Sequence, residues 1–510
     1  MSSLTRPVDN SSVNLQEPQA FRTPLDRAWL LPLLLACCIV RMWLAPLPSS
    51  FWVDEMGTEF VVQHGAADPS LQVAPQVPAS IYYLLPRISQ SLFGASEIAY
   101  RLPSVLLMAA ALWIIALIAR RLIHADAGGF AAFACLLLPE FSYQAADARP
   151  YALGSLAASA GLLFLIRWLD SGRWREALFF ALFAALLWRV HLLFWPVYLV
   201  FAIYALSRLL RGQARAAWSQ VVAVTVVVGA SLLPVAAQAL ALNRQASAHV
   251  VVPVPALSDL AKELKFAFIL PFTAASALLA RWLRWPRVPP AASFQSLVLV
   301  FTWWLCQPLC LYAFSRLSGT SVFLSRYLYV AIPGIALTAT VAAAAFVPAA
   351  YWKQIAAALG IGVLLFHGHW NRLLPPHHNS DWRGAARAIN AALSAGREPV
   401  ICPSPFIEAR PPVWHPGYPA NTFLYSQLAA YPINGALYPF PFETSPEAEQ
   451  FAASLAHGTL APSGKFVIYG GDRAAQFWRS WFSGRPEFAG WRIRSLGSFG
   501  DVVVLVFEKP

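Results

Sequence analysis

Apolar stretches long enough to cross a bilayer recur almost without pause from Ala28 to about His369, and this feature decides what the chain can fold into. A span needs roughly 20 mostly apolar residues, because the hydrocarbon core is about 30 Å thick and a helix rises about 1.5 Å per residue. In lipid every backbone polar group must be satisfied within the chain, so stretches of this kind form helices packed on one another. Composition agrees. Hydrophobic residues make up 58% of the 510 and charged ones 12%, too apolar for a soluble protein of this size whose surface must be wetted.

Reading apolar runs between charged or Pro-rich breaks predicts spans near 28–47, 101–119, 127–143, 151–168, 177–190, 192–207, 217–241, 266–283, 294–314, 327–349 and 354–370, eleven in all. The third and fifth are short and are the ones most open to tilting or merging. The expected architecture is a polytopic α-helical membrane protein with a small C-terminal α/β domain. Residues 1–27 form a flexible cytoplasmic N-terminus, 28–370 the bundle with a first extracytoplasmic loop at 48–100, and 371–510 the extracytoplasmic tail. The first apolar run has no small-residue cleavage pattern after it and is expected to be a retained span.

Basic residues set the orientation. One set of alternate loops holds Arg22 and Arg27, Arg120 and Arg121, Arg167, Arg173 and Arg175, Arg208, Arg211 and Arg215, Arg281, Arg284 and Arg287, and Lys353. These loops are expected to be cytoplasmic. The opposite loops carry Asp54, Glu55, Glu59, Asp68, Glu97, Glu140, Asp147, Asp259 and Glu263, so the acidic chemistry lies outside, and an odd span number puts the tail there too. The net charge of +12 is spread over several short loops instead of forming one stripe, which argues against a nucleic-acid partner. Those loops are also too short for a nucleotide-sugar domain, and there is no glycine-rich phosphate loop. An activated donor is therefore expected to be lipid-borne. Five of the six cysteines fall in spans and Cys402 stands alone in the tail, so no disulfide framework or Cys-based zinc site is implied.

Three clusters can carry chemistry. Phe51-Trp52-Val53-Asp54-Glu55 follows the first span and sets two adjacent carboxylates among aromatics; the plain alternative is a charged span end. Asp147-Ala148-Arg149-Pro150-Tyr151 opens the fourth span, where an arginine near hydrocarbon is costly unless paired or used, and a local Asp147–Arg149 ion pair is the structural alternative. Arg326-Tyr327 begins the tenth span; its guanidinium can hold a lipid phosphate in a bidentate fork or simply snorkel to headgroups. His191, between two spans, can bind phosphate, acceptor or metal, or serve structurally.

Together with Arg101-Leu102-Pro103-Ser104 opening the second span, these motifs resemble the GT-C membrane glycosyltransferases in order and sidedness. Within them the chain is most similar to bacterial relatives of dolichyl-phosphate-mannose protein mannosyltransferases, and more distantly to aminoarabinose transferases acting on lipid A. The resemblance covers most of residues 28–370. It departs at Asp147, where these relatives usually carry Glu before Ala-Arg-Pro-Tyr. His191 falls where many carry His or Tyr, and Asp381-Trp382-Arg383 looks like the start of the soluble tail in many bacterial members.

The resemblance implies a bacterial inner-membrane enzyme that transfers sugar from a polyprenyl-phosphate donor to a glycan, lipid or protein acceptor. A sugar on phosphate already has a stable leaving anion, whereas a glycosidase needs two carboxylates to expel an alkoxide. One base then suffices, and the resemblance implies inversion with Asp54 taking the acceptor proton. Glu55 is expected to orient hydroxyls, and Arg149 and Arg326 to stabilise charge on the phosphate. Asp147, Tyr151, His191 and Tyr327 complete the expected substrate-binding set. No particular cofactor is implied; a divalent cation stays open, although the acidic residues and His191 form no compact metal motif. A transporter or flippase of an anionic lipid is the alternative from another class, but polar residues clustered on one face suit it poorly.

In the tail, helices are expected at 383–395, 445–456 and 473–482, strands at 399–402 and 465–469, and a hairpin pairing 491–496 with 501–508. The Pro- and Tyr-rich loop 403–446 carries Trp414, His415, Tyr418 and Tyr425, which can stack on sugars or anchor at the membrane.

Overall fold

The computed structural model describes residues 29–77, 80–243, 252–286, 292–393 and 397–510; the expected N-terminal segment 1–27 lies outside them. The bundle opens with α1 (Leu30–Ile39), which runs on as a π-helical turn at Val40–Leu44. The first long loop contributes α2 (Val53–His64) and α3 (Leu84–Phe93). Then follow α4 (Glu97–Leu122), α5 (Ala127–Leu136), α6 (Pro139–Ala145), α7 (Tyr151–Ser171), α8 (Trp174–Val190) and α9 (Val197–Leu210). Beyond these lie Trp218–Asn243, the bent pair Leu257–Glu263 and Phe266–Trp282, and Phe294–Ser318, Ile332–Ala344 and Trp352–His367.

Among the described residues seven helices are long and apolar enough to cross a membrane, or eight if the bent pair is one span. The difference from eleven falls on three short segments. Leu30–Leu44 joins 10 α-helical and 5 π-helical residues, about 22 Å at ~1.5 Å per residue. α8 has 17 residues. The expected 127–143 span breaks in two because Pro139 has no N–H to continue the ladder and forces Leu138 into an extended conformation (ψ 107°). Helix ends nonetheless sort onto two faces. Arg121 and Arg208 share Asp170, at 2.5 and 2.7 Å, and Lys353 approaches Asp126 at 4.0 Å. The carboxylates of the 48–100 loop and of the segment before α7 gather at the opposite end.

α7 is the most enclosed span, with 83% of its apolar window buried. Its Gly154 lets the Phe194 ring lie against the backbone, and Gly334 does the same for the backbone at Trp303 and Trp304. Small residues replace a hydrophobic drive that lipid does not supply.

The C-terminal domain is a five-stranded sheet in the order β2-β1-β3-β5-β4 with helices packed on it. Its strands are β1 (Pro399–Pro403), β2 (Ala436–Phe440), β3 (Lys465–Gly471), β4 (Arg492–Ser495) and β5 (Val502–Glu508). β1 runs parallel to β2 and β3, while β5 is antiparallel to β3 and β4. The expected hairpin is present, with Arg492 opposite Glu508 and Ser495 opposite Leu505. β2 lies inside the segment read as loop; it is an edge strand, where Pro439 is tolerated because no inner neighbour needs its N–H. Trp414 and Tyr425 belong to this domain's core, donating to the carbonyls of Pro439 (3.2 Å) and Phe440 (2.7 Å), whereas His415 is exposed.

This domain sits on the first loop. Phe51, Met56 and Phe60 share one apolar cluster with Trp382, Phe423 and Tyr425. The Tyr431 hydroxyl accepts from Phe51 N and donates to Glu97, each at 2.8 Å. Arg383 bridges to Glu97 (2.9 Å) and to the Pro48 carbonyl (2.7 Å), and Asp381 caps the helix Trp382–Ala392 by accepting from Gly384 N. The Asp381-Trp382-Arg383 motif thus helps seat the tail on the bundle.

Candidate active site

The first turn of α2 sends its two carboxylates in different directions. Glu55 has no exposure, and Arg101, near the start of α4, grips it with Nε at 2.7 Å and Nη2 at 2.5 Å. Ala148 N donates to it at 2.8 Å and Trp52 N at 3.3 Å. Arg101 is equally buried and directs its remaining donors to the carbonyls of Leu47, Ser49 and Ser50 at 2.7–3.0 Å. Burial alone would lift the Glu55 carboxyl, but the Arg101 charge and hydrogen bonds outweigh it and hold the group below the usual carboxylate range. All four contacts of Glu55 are internal. It therefore fastens the first loop to α4 and the second loop, where the sequence reading gave it a contact with hydroxyls.

Asp54 faces the other way and keeps about a fifth of its side chain exposed. Its carboxylate lies 3.4 Å from Arg326 and 3.8 Å from Arg149, and Arg149 also donates to its backbone carbonyl at 3.1 Å. Arg149 pairs with Asp54 and not with Asp147, so the local ion pair considered above does not form. The Nε atoms of Arg149 and Arg326 are both buried without a hydrogen-bond partner. Buried donors of this kind ask for an acceptor.

Asp147 lies in the interior beside Glu55. Trp52 Nε1 donates to its Oδ1 at 3.0 Å, and His377 Nε2 stands 3.6 Å from the same oxygen. Burial lifts the Asp147 carboxyl; the His377 imidazole pulls the other way and the Glu55 charge adds to the rise, so the group sits above the usual carboxylate range. His377 and His378 belong to the segment leading into the C-terminal domain. The Trp52 indole stacks on His378 at 5.1 Å between ring centroids, and Tyr143 stacks on His377 at 4.2 Å.

Tyr151, His191 and Tyr327 form the remaining wall. The His191 ring lies 5.9 Å from Tyr151 and 5.2 Å from Tyr327, and Arg326 lies over the Tyr327 ring at 5.4 Å. Gln307 Nε2 donates to the carbonyls of Leu193 and Tyr327, both at 2.8 Å, and so fixes the two loops together. Burial, with the Arg149 and Arg326 charges, pushes His191 down to about 3, so its ring is neutral. His191 Nδ1 accepts from Leu193 N at 3.2 Å, which puts the ring proton on Nε2.

The structure thus brings Asp54, Arg149, Arg326, Tyr151, His191 and Tyr327 to one partly exposed place and sets Glu55 and Asp147 behind it. The sequence assigns Arg101 no role, although a charge at the edge of an apolar span is itself a signal. It also passed over Tyr83, which lies half-buried beside Arg149 and Asp54. His377 and His378 were visible only as a histidine pair just before Asp381.

The profile of the dolichyl-phosphate-mannose-protein mannosyltransferase family matches residues 77–237, about a third of the chain. The structure resembles ArnT from Cupriavidus metallidurans in the apo state, with a TM-score of 0.54 at 13% identity over 93% of this chain and 97% of that one. The same protein bound to undecaprenyl phosphate gives a TM-score of 0.53 at 12% identity with the same coverage. Arabinosyltransferase EmbB from Mycobacterium smegmatis aligns over 66% of this chain and 32% of its own at a TM-score of 0.37, too low to bear on the fold. No curated protein sequence gives a significant match.

Proposed function

We propose that this chain, which has the fold of the GT-C membrane glycosyltransferases, is an inverting glycosyltransferase that moves a sugar from a polyprenyl-phosphate donor to a hydroxyl of a glycan, lipid or protein outside the cytoplasm. The observation that carries it is the partly exposed Asp54 carboxylate held loosely, at 3.4 and 3.8 Å, between two guanidinium groups whose Nε donors lack partners. A lipid phosphate satisfies both. It competes with Asp54 for Arg149 and Arg326, and the carboxylate it displaces is then available as a base. A solved relative in fold holds undecaprenyl phosphate, which supports a donor of this class.

In the proposed step the acceptor oxygen attacks the anomeric carbon from the face opposite the phosphate. Its proton passes to Asp54 as the new bond forms. The bond from the anomeric carbon to the phosphate oxygen breaks with its electron pair on the phosphate, where Arg149 and Arg326 meet the added charge. His191, neutral with its proton on Nε2, contributes a donor without adding charge. The clustering of these groups at one end of the bundle favours an enzyme over an alternating-access carrier.

The test is turnover by purified protein in liposomes with radiolabelled polyprenyl-phosphate sugars and membrane acceptors, comparing wild type with Asp54→Asn. The variant nearly preserves shape, and Asp54 contributes little to packing at a fifth exposed, so melting should stay close to wild type, donor binding should hold or tighten because the phosphate no longer competes with a carboxylate, and turnover should fall about 10²- to 10⁴-fold. Retained turnover with intact binding removes Asp54 as the base.

A further inference from the structure

We propose that Glu55, Asp147 and His377 bind a divalent cation of the zinc class, which ties the first loop, the second loop and the segment entering the C-terminal domain into one unit. Each offers one ligand atom, and the three atoms lie within 4.8 Å of one another; among the described residues no other group of His, Cys, Asp and Glu meets this condition. Ligands about 2.0–2.2 Å from zinc stand at most roughly 4.2 Å apart, so closing on an ion requires a shift of under about 1 Å.

Two of the three ligands are also unsatisfied. Asp147 Oδ2 and His377 Nε2 have no hydrogen-bond partner, in side chains only 1% and 2% exposed. A carboxylate has about four lone-pair positions, and Trp52 Nε1 fills one of those on Asp147. What is missing is positive charge. Arg101 answers Glu55, and Arg149 and Arg326 face Asp54, which leaves Asp147 with no permanent cation and only the His377 imidazole, charged when protonated, beside it. The longest of the Glu55 contacts, from Trp52 N at 3.3 Å, is the one most readily exchanged for an ion.

The surroundings already orient the ligands, as the supporting groups of metal sites do. His377 N donates to Ser49 Oγ at 3.0 Å, its ring is stacked on Tyr143, and the Ser49 hydroxyl also accepts from Arg101 at 3.1 Å. The donor set selects the ion. Magnesium and calcium prefer all-oxygen shells, whereas one imidazole with two carboxylates suits zinc and its first-row neighbours. An ion here would stiffen the wall behind Asp54 without touching substrate, and it is independent of whether Asp54 is the base.

The experiment uses the full chain in detergent, free of any polyhistidine tag. It is stripped with a chelator, reloaded with zinc or magnesium, desalted, and read by elemental analysis and thermal melting. Wild type is expected to retain about one zinc per chain and no magnesium, and to melt higher when loaded. His377→Gln and Asp147→Asn should lose both the zinc and the melting shift. Zinc bound at wild-type level by His377→Gln overturns the site, and magnesium bound in preference to zinc overturns the ion class. If wild type itself holds no zinc above background and its melting ignores the metal, the proposal fails, and a proton shared between Asp147 and His377 accounts for the pair. Comparing stripped with reloaded wild type separates these outcomes even if a variant does not fold.

Discussion

Glu55→Gln should unfold the site's support before it touches chemistry, and the structure sets the size of the effect. The carboxylate accepts four N–H groups, from Arg101 Nε (2.7 Å), Arg101 Nη2 (2.5 Å), Ala148 N (2.8 Å) and Trp52 N (3.3 Å). Glutamine keeps one acceptor oxygen and turns an NH₂ toward donors. It also leaves Arg101 buried with no counter-charge. Removing one partner of a buried ion pair costs about 3–5 kcal/mol. The carbonyls of Leu47, Ser49 and Ser50 still hold Arg101, which argues for the lower end of that range. Against a total of ~5–15 kcal/mol this is a large share, so melting should fall by several degrees and turnover with it. Chelator-treated protein should be used, so that loss of a bound ion adds nothing. The companion variant Glu55→Leu with Arg101→Met removes both charges and should recover part of the loss, since the loop carbonyls remain unpaired. Wild-type melting of Glu55→Gln with turnover down by more than about 10²-fold would refute the scaffold role and return Glu55 to the substrate.

Three further outcomes are expected. Arg326→Lys keeps the charge but loses the planar fork, so donor affinity should drop about tenfold; unchanged affinity and turnover would make Arg326 a headgroup anchor only. A reporter fused after Arg173 should lie in the cytoplasm and one at Pro510 outside it, and both on one side would mean the number of passes is off by an odd number. Glu59, in α2, is pushed up to about 7 by burial, against the opposing effects of His64 and Gln63. The folded state thus holds its proton more tightly than the unfolded chain, so this stability is present below the ordinary 4.5 and is lost as pH rises through about 7. Melting of wild type should decline across pH 5–8 more steeply than that of Glu59→Gln, and parallel curves would exclude Glu59 as the source.

Much of the fold was legible because its signals are local. Apolar runs, Pro139 aside, mark the helices, and alternation around Val502–Glu508 with a turn at Ser498-Phe499-Gly500 marks the last hairpin. β2 was hidden because a proline inside a strand reads as loop unless the strand is known to be an edge, and that is a property of the sheet. The loops carrying Asp54 and Asp147 read as acidic, but which acid is exposed and which is buried depends on tertiary contacts. Nothing in Trp414 or Tyr425 tells a sugar platform from a core residue until Pro439 and Phe440 are seen to accept their hydrogen bonds.

The pair Asp54-Glu55 shows why adjacency in sequence misleads. Successive residues in a helix point about 100° apart, so two carboxylates on one turn can serve opposite environments. One direction from α2 meets the buried guanidinium of Arg101, whose other donors hold the loop that begins the same turn. That contact fixes the rotation of α2, since Glu55 can reach both Arg101 nitrogens and Ala148 N from only one facing. With the rotation fixed, Asp54 has to point toward Arg149 and Arg326. The aim of the exposed acid therefore follows from the pairing of the buried one. Arg101 accordingly governs the geometry at Asp54 without lying in contact with it, as a residue near the start of the next long helix that the sequence shows only as an isolated charge at a span end.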